Sequence, residues 1–108
     1  VPTVREPDGL AMSSRNSYLD APSRAAATVL YRALVAAREM RRAGCRSASA
    51  AVSGMSDIIR AEPLARVDYI SIVDPVTFRQ VESLDGEALA VLAVRFGSTR
   101  LIDNLLLE

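Results

Sequence analysis

The sequence predicts an α+β domain in which two main helices cover one face of a three-stranded, mainly antiparallel sheet. Before residue 62, two stretches repeat apolar residues at helical spacing. After residue 65, three stretches are rich in β-branched and other apolar residues, and the last two are separated by only Gly97-Ser98. The chain has 108 residues, half of them apolar, which indicates one small domain with a core of its own.

The two predicted helices cover residues 21–43 and 47–61. We expect Asp20 to cap the first helix, with Pro22 tolerated in its first turn and Gly44 ending it. Gly54 lies inside the second helix, where glycine costs about 1 kcal/mol relative to alanine, so we expect close packing there. The first helix has its apolar stripe at Ala26, Val29, Leu30, Ala33, Leu34, Ala37 and Met40. The second has it at Ala48, Ala51, Val52, Met55, Ile58 and Ile59.

The predicted strands cover residues 66–73, 88–96 and 99–106. The stretch 88–96 is almost wholly apolar, which favours a central strand covered on both faces. Glycine at the first position of Gly97-Ser98 predicts a type II′ hairpin turn. Residues 74–87 are expected to form a loop, and residues 1–20 a structured loop that turns at Pro7-Asp8-Gly9.

Composition excludes several kinds of function. The 13 basic residues are all arginine and balance 13 acidic ones, so a nucleic-acid or membrane-surface protein is not indicated. Histidine is absent, and no metal-binding motif, P-loop or G-x-G-x-x-G is present. A single cysteine, Cys45, fits a reducing cytoplasm, and neither a transmembrane stretch nor a signal peptide is visible. Because the chain begins with Val1 rather than methionine, we expect it to be part of a longer or processed protein, and we do not expect a self-contained enzyme.

Two hydroxyls and an arginine precede the first helix. Ser13, Ser14 and Arg15 could form a polyphosphate clamp, because helix-start amides attract anions and a guanidinium binds phosphate bidentately. From spacing alone, a loop that merely caps the helix is the more frequent explanation. Both interpretations stay open at this level.

Residues 4–19 read V-R-E-P-D-G-L-A-M-S-S-R-N-S-Y-L and closely resemble the signature R-E-x-D-G-L-A-x-S-S-R-N-x-Y-L of the pantothenate synthetase (pantoate–β-alanine ligase) family. Residues 68–75 resemble the first strand of that family's C-terminal domain. Residues 99–104, T-R-L-I-D-N, resemble its closing motif. The resemblance extends along the whole chain and is weakest in the helices.

The resemblance implies the C-terminal lid domain of a cytoplasmic ligase of the coenzyme A pathway, with the N-terminal Rossmann-type domain absent from this chain. Such an enzyme, expected to be a homodimer, condenses pantoate with β-alanine. It forms a pantoyl adenylate from ATP and Mg²⁺, and releases AMP and pyrophosphate. Residues 1–20 would then be the hinge and the ATP-phosphate loop. The isolated chain is expected neither to turn over nor to hold a bound cofactor.

The family's ATP contacts fall on five positions of this sequence. Val4 and Met12 would lie near the adenine, whereas Ser13, Ser14 and Arg15 would hold the phosphates. No catalytic residue and no metal ligand is expected in this chain.

Other conspicuous residues have plainer explanations. We expect structural hydrogen bonds from Asp103 and Asn104, and we expect Arg38, Arg41 and Arg42 to be a solvated helix end. Arg100 could face the nucleotide cleft, but nothing beyond its motif argues for that. The chief alternative function is a non-enzymatic oligomerisation or partner-binding domain. A stand-alone nucleotide sensor is a third possibility.

Overall fold

The computed structural model describes residues 4–108 and has the predicted α+β fold, so residues 1–3 of the predicted loop 1–20 lie outside the described residues. A short 3₁₀ helix, Ser14–Tyr18, precedes α1 (Ala21–Ala26), α2 (Val29–Arg42) and α3 (Ala48–Arg60). Strands β1 (Ala65–Val73), β2 (Ala88–Phe96) and β3 (Thr99–Leu107) form one antiparallel sheet in the order β1-β2-β3. The strand bounds agree with the prediction to within one residue, and β2 is central as expected.

The first predicted helix, 21–43, is not continuous. Ala27 and Thr28 both have φ −62° and ψ −18°, close to 3₁₀ values. The Thr28 hydroxyl donates to the Ala25 carbonyl at 2.9 Å, and the Leu30 N–H donates to the Ala27 carbonyl at 3.2 Å. A threonine that bonds to the preceding turn competes with the α-helical pattern. The single predicted helix was therefore wrong, and two helices meet at this threonine.

The predicted helix ends are confirmed. The Asp20 carboxylate accepts a hydrogen bond from the Ser23 N–H at 2.8 Å, with Pro22 in the first turn. At the other end Gly44 has φ +102°, a conformation that favours glycine, and terminates α2. A Cβ on Gly54 would lie 3.0 Å from the Met40 sulfur, so this glycine allows α2 and α3 to approach closely, as expected.

The arginines near the end of α2 are less solvated than predicted. Arg42 is exposed, but Arg38 and Arg41 are half-buried. Their Nε atoms are buried without a hydrogen-bond partner in the part of the chain that the structure describes. The prediction of a wholly solvated helix end was wrong, because these long side chains lie along the protein surface.

The helices cover only one face of the sheet. On β2 the residues at even positions point into the core, and Leu92 and Val94 are fully buried together with Met55 and Ile59 of α3. On the opposite face Leu89 and Val91 are half-buried and Arg95 is exposed. The prediction that β2 is covered on both faces was wrong. An antiparallel sheet can leave one face uncovered. The open face of β2 also carries apolar residues, so the sequence of the strand is almost wholly apolar although only one face is covered by helices.

The turn between β2 and β3 has the predicted geometry. Gly97 has φ +65°, and Phe78 is the one non-glycine residue of the described range with a positive φ, so Ser98 has a negative φ. This combination is that of a type II′ turn. Residues 74–87 form a loop, as predicted, and its residue Leu84 is fully buried. Within residues 4–108, no helix is long and apolar enough to cross a membrane.

Candidate functional site

The segment that follows Val4 is a tight hairpin-like loop. Arg5 and Ala11 form an antiparallel bridge, and the Met12 N–H donates to the Val4 carbonyl at 2.9 Å. Gly9 has φ +93° at the turn, and a Cβ there would overlap the Tyr31 ring. The predicted turn at Pro7-Asp8-Gly9 is therefore confirmed, and it brings Val4 next to Met12.

Arg5 ties this loop to the sheet. Its guanidinium donates to both carboxylate oxygens of Asp103, at 2.7 and 3.1 Å, and also to the carbonyls of Gly9 and Asn104. It lies over the Tyr31 ring, 4.5 Å from the centroid. The Asp103 side chain is only 1% exposed, so the charge needs this partner. The structural hydrogen bonds predicted for Asp103 and Asn104 are present, those of Asn104 through its main chain.

A second ion pair ties the loop to α1. Arg24 donates to both carboxylate oxygens of Asp8, at 2.8 and 3.2 Å, on the surface of the protein. This hydrogen bond from Arg24 holds the pKa of the Asp8 carboxyl below its usual value. The loop is thus attached at its start to β3 and at its turn to α1.

Ser13 caps the 3₁₀ helix Ser14–Tyr18, and Ser13, Ser14 and Arg15 are exposed. The Ser13 hydroxyl oxygen accepts from the Arg15 N–H at 3.1 Å, which leaves its own proton free to donate. The Ser14 carbonyl accepts from the Ser17 hydroxyl at 2.8 Å. Arg15 donates from Nη1 to the Arg100 carbonyl at 3.1 Å, across 85 residues of sequence. Ser13, Ser14 and Arg15 therefore present their polar groups on a short, capped helical turn.

The loop and β3 enclose a cavity of about 310 Å³. Met12, Ser13 and Arg15 line it from the loop side. Val4 does not line it, but bonds through its main chain to Met12 and is 68% exposed. Ser14 does not line it either. The structure thus brings three of the five predicted site residues to one cavity.

Asn16 is a cavity residue that sequence reasoning did not single out. Its Nδ2 donates to the Ala11 carbonyl at 3.0 Å. Its Oδ1 is buried and has no hydrogen-bond partner among residues 4–108. A buried acceptor without a donor is costly, so this atom suits a donor from a ligand or a water. Nothing local in the sequence indicates it, since Asn16 shares this cavity with β3 residues that are more than 80 positions away.

The described residues offer no metal centre. Across residues 4–108, no three histidine, cysteine, aspartate or glutamate side chains come together in a group that could hold a metal ion. Asp103 is the one acidic residue among those that line the cavity, and it is already paired with Arg5. The site can therefore attract anions through Arg15.

Comparisons with known proteins match this chain along almost its whole length. The family described as Pantoate-beta-alanine ligase matches residues 1–106. The pantothenate synthetase of Roseiflexus sp. (strain RS-1) is 56% identical over 107 residues, which are 99% of this chain and 38% of that protein. That of Chloroflexus aurantiacus (strain ATCC 29366 / DSM 635 / J-10-fl) is 55% identical over 109 residues, covering 100% of this chain and 39% of that protein.

Solved structures show the same relationship. The pantothenate synthetase of Thermus thermophilus is 48% identical with a TM-score of 0.91, over 97% of this chain and 38% of that one. The pantoate–β-alanine ligase of Francisella tularensis, complexed with Beta-gamma ATP and Beta-alanine, is 27% identical with a TM-score of 0.58, over 98% of this chain and 31% of that one. The chain spans less than two fifths of the length of these relatives. On the family match and these identities, the chain belongs to the pantoate–β-alanine ligase family.

Proposed function

We propose that this chain is the ATP-contacting lid domain of a pantothenate synthetase. In this proposal an N-terminal Rossmann-type domain of the same enzyme binds pantoate and β-alanine, and the full-length enzyme is a cytoplasmic homodimer. The enzyme joins the two substrates through a pantoyl adenylate, with release of pyrophosphate and then AMP. Family membership and the 38% coverage of full-length relatives support this assignment.

The observation that carries the proposal is the geometry of the loop after Met12. Ser13 and Arg15 are exposed and line one cavity, while the segment before them is held by the buried Arg5–Asp103 pair. A loop with a rigid base and exposed polar groups is suited to binding a ligand, because little ordering remains to be done on binding.

Arg15 supplies the chemistry in this proposal. A guanidinium stays charged at any working pH and can bind two phosphate oxygens at once. When the pantoate carboxylate attacks the α-phosphate, negative charge develops on the departing pyrophosphate. A fixed cation beside it stabilises that charge without any proton transfer. Closure of the lid would also exclude water from the acyl adenylate.

The remaining four residues have smaller proposed roles. The Ser13 hydroxyl proton is free to donate to a phosphate oxygen. Met12, 55% exposed, and the neighbouring Val4 offer apolar contact to an adenine ring. Ser14 is exposed beside the cavity, and its phosphate contact rests on the family resemblance alone. We assign this chain no part in holding Mg²⁺, because its described residues contain no cluster of carboxylates that fits the ion.

The proposal can be tested with the full-length ligase that contains this chain. Pyrophosphate release should require both ATP and pantoate, and later addition of β-alanine should yield pantothenate. Arg15→Ala should raise the KM for ATP, whereas Arg42→Ala, which removes an exposed arginine from the end of α2, should not. The chain by itself should bind ATP weakly, because one exposed arginine and a few hydroxyls supply little net affinity.

Two results would contradict the proposal. If Arg15→Ala and Arg42→Ala gave the same KM for ATP as the wild type, an oligomerisation or partner-binding domain would be the better explanation. Tight binding of ATP to the 108-residue chain alone would instead favour a stand-alone nucleotide sensor.

A further inference from the structure

A cluster of three charged residues lies on the open face of the sheet, at the end nearest to Arg15. Asp68 Oδ2 accepts from the Nε atoms of Arg100, at 2.8 Å, and of Arg95, at 3.1 Å. Asp68 has no partner on β2, since Val67 pairs with Val94 and Tyr69 with Ala93. Such a β-bulge re-aims a side chain. Here Asp68 reaches two arginines that face each other on neighbouring strands.

Arg100 is fixed by this cluster and keeps free donors. Its Nε bonds to Asp68, and its guanidinium lies over the Tyr69 ring, 5.8 Å from the centroid. Its two terminal nitrogens make no hydrogen bond within residues 4–108, and the side chain is 40% exposed. Four N–H donors of a positioned guanidinium are therefore available to a ligand.

Arg100 and Arg15 share one open cavity. It has a volume of about 580 Å³ and is lined by Arg15, Tyr18, Ser98, Thr99 and Arg100. Both arginines also line the smaller cavity beside Met12, so the two cavities adjoin. The Arg15 guanidinium donates to the Arg100 carbonyl at 3.1 Å, which places the two residues side by side.

The electrostatics of this cavity favour a polyanion. None of the five lining residues is acidic. Asp68 balances the charge of only one of the two arginines Arg95 and Arg100, so the cluster keeps one positive charge. Arg15 adds a second positive charge to the cavity. Three hydroxyls, from Tyr18, Ser98 and Thr99, add donors at the cavity wall. Two guanidiniums with hydroxyl donors suit a ligand with several negative charges, such as a polyphosphate, better than a neutral one.

We propose that Arg100 is a second polyphosphate-binding arginine, positioned by Asp68 and Tyr69 so that it and Arg15 hold the terminal phosphates of ATP from two sides. This inference rests on the proposed function and adds to it a residue from β3, at the far end of the sequence. Arg15 belongs to a loop, whereas Arg100 belongs to the sheet. Together they would fix the orientation of the departing pyrophosphate.

The test compares Arg100→Gln with Arg95→Gln in the full-length ligase. Arg95 is the matched control, because it bonds to the same carboxylate and is 47% exposed, but lines neither cavity. Two quantities are measured: the inhibition constant of pyrophosphate and the single-turnover rate of pyrophosphate release with ATP and pantoate. Arg100→Gln should weaken pyrophosphate inhibition and slow release by about tenfold, the loss typical of one charge-assisted contact, while Arg95→Gln, which removes the same charge from outside both cavities, should lose much less.

Arg15→Ala, included in the same experiment, separates the two proposals. A large loss in Arg15→Ala with Arg100→Gln no different from Arg95→Gln would overturn the inference and leave the proposed function standing. No loss in either Arg15→Ala or Arg100→Gln would overturn both. Melting temperatures report whether each variant is folded. If Arg100→Gln is not folded, Arg100→Lys is compared with Arg95→Lys instead. Pyrophosphate release should then be slower in Arg100→Lys alone, because an ammonium lacks the guanidinium fork.

Discussion

The two faces of β3 carry similar arginine–aspartate contacts in different surroundings. On the face covered by the helices, Arg5 meets Asp103 at 2.7 Å, and the two side chains are 16% and 1% exposed. On the open face, Arg100 meets Asp68 at 2.8 Å, and the side chains are 40% and 29% exposed. The distances are almost the same, so distance alone cannot tell the two contacts apart.

The difference in burial separates structure from function. A buried charge that loses its partner is left uncompensated in a poorly solvated site, which makes the pair costly to break. An exposed pair is screened by water and contributes little to stability. We therefore expect the covered face to hold the loop in place, while the open face keeps guanidinium groups available for a ligand.

The largest effect is expected from breaking the buried pair. Arg5→Ala should lower the free energy of unfolding by about 3–5 kcal/mol, because the buried Asp103 side chain would lose its ion-pair and hydrogen-bond partner. Arg100→Ala should lower the free energy of unfolding by no more than about 1 kcal/mol. Urea unfolding of the two variants measures both values. Equal losses would show that burial does not distinguish the two contacts.

Truncating an apolar residue should likewise destabilise the protein more on the covered face than on the open face. Leu92 is fully buried against the helices. Its truncation to alanine should lower the free energy of unfolding by about 2–5 kcal/mol, because apolar burial is lost and a cavity is left. Ile102 on the open face is 58% exposed, so Ile102→Ala should cost much less. Thermal unfolding compares the two variants. A Leu92→Ala variant with the melting temperature of the wild type would show that β2 is not part of the core.

The smallest effect concerns the open face at acid pH. Hydrogen bonds from Arg100 first, and then from Arg95, hold the pKa of Asp68 below the usual 3.8. A carboxyl with a depressed pKa in the folded state stabilises the protein above its unfolded pKa, and this contribution is lost as the pH falls through the folded pKa. The difference in melting temperature between the wild type and Asp68→Asn should therefore be constant above about pH 5 and shrink below pH 3.8. A difference that stays unchanged in acid would contradict the assigned pairing.

Much of the fold could be predicted from the sequence, because its determinants are local. The capping groups Asp20 and Gly44 and the glycine turn at Gly97 act within a few residues of the chain. The break at Thr28 could not be predicted, because the apolar stripe continues through it and only a hydroxyl contact reveals it. The open face of β2 was missed for a similar reason, since half-buried and fully buried apolar residues look alike in a sequence.

The phosphate contacts at the candidate site stay a prediction, and the arrangement of its residues could not be predicted at all. The motif around Ser13 and Arg15 indicates phosphate contacts by resemblance to a known family. It does not indicate that Arg15 lies against Arg100, 85 residues away, or that Asn16 has an unpaired buried oxygen. Both facts arise when the loop packs on β3, and that packing depends on Arg5 reaching Asp103 across 98 residues of sequence.

The central claim is that Arg15 binds the phosphates of ATP without being needed for the fold. Its most direct test is single-turnover release of pyrophosphate by Arg15→Ala, with saturating ATP and pantoate and without β-alanine. The release rate should fall by about 10²-fold or more, as for other preorganised groups that stabilise developing charge. Arg15→Lys should recover only part of that loss, and the melting temperature should change little, because the lost hydrogen bond to the Arg100 carbonyl is on the surface. A wild-type release rate in a folded Arg15→Ala enzyme would contradict the account.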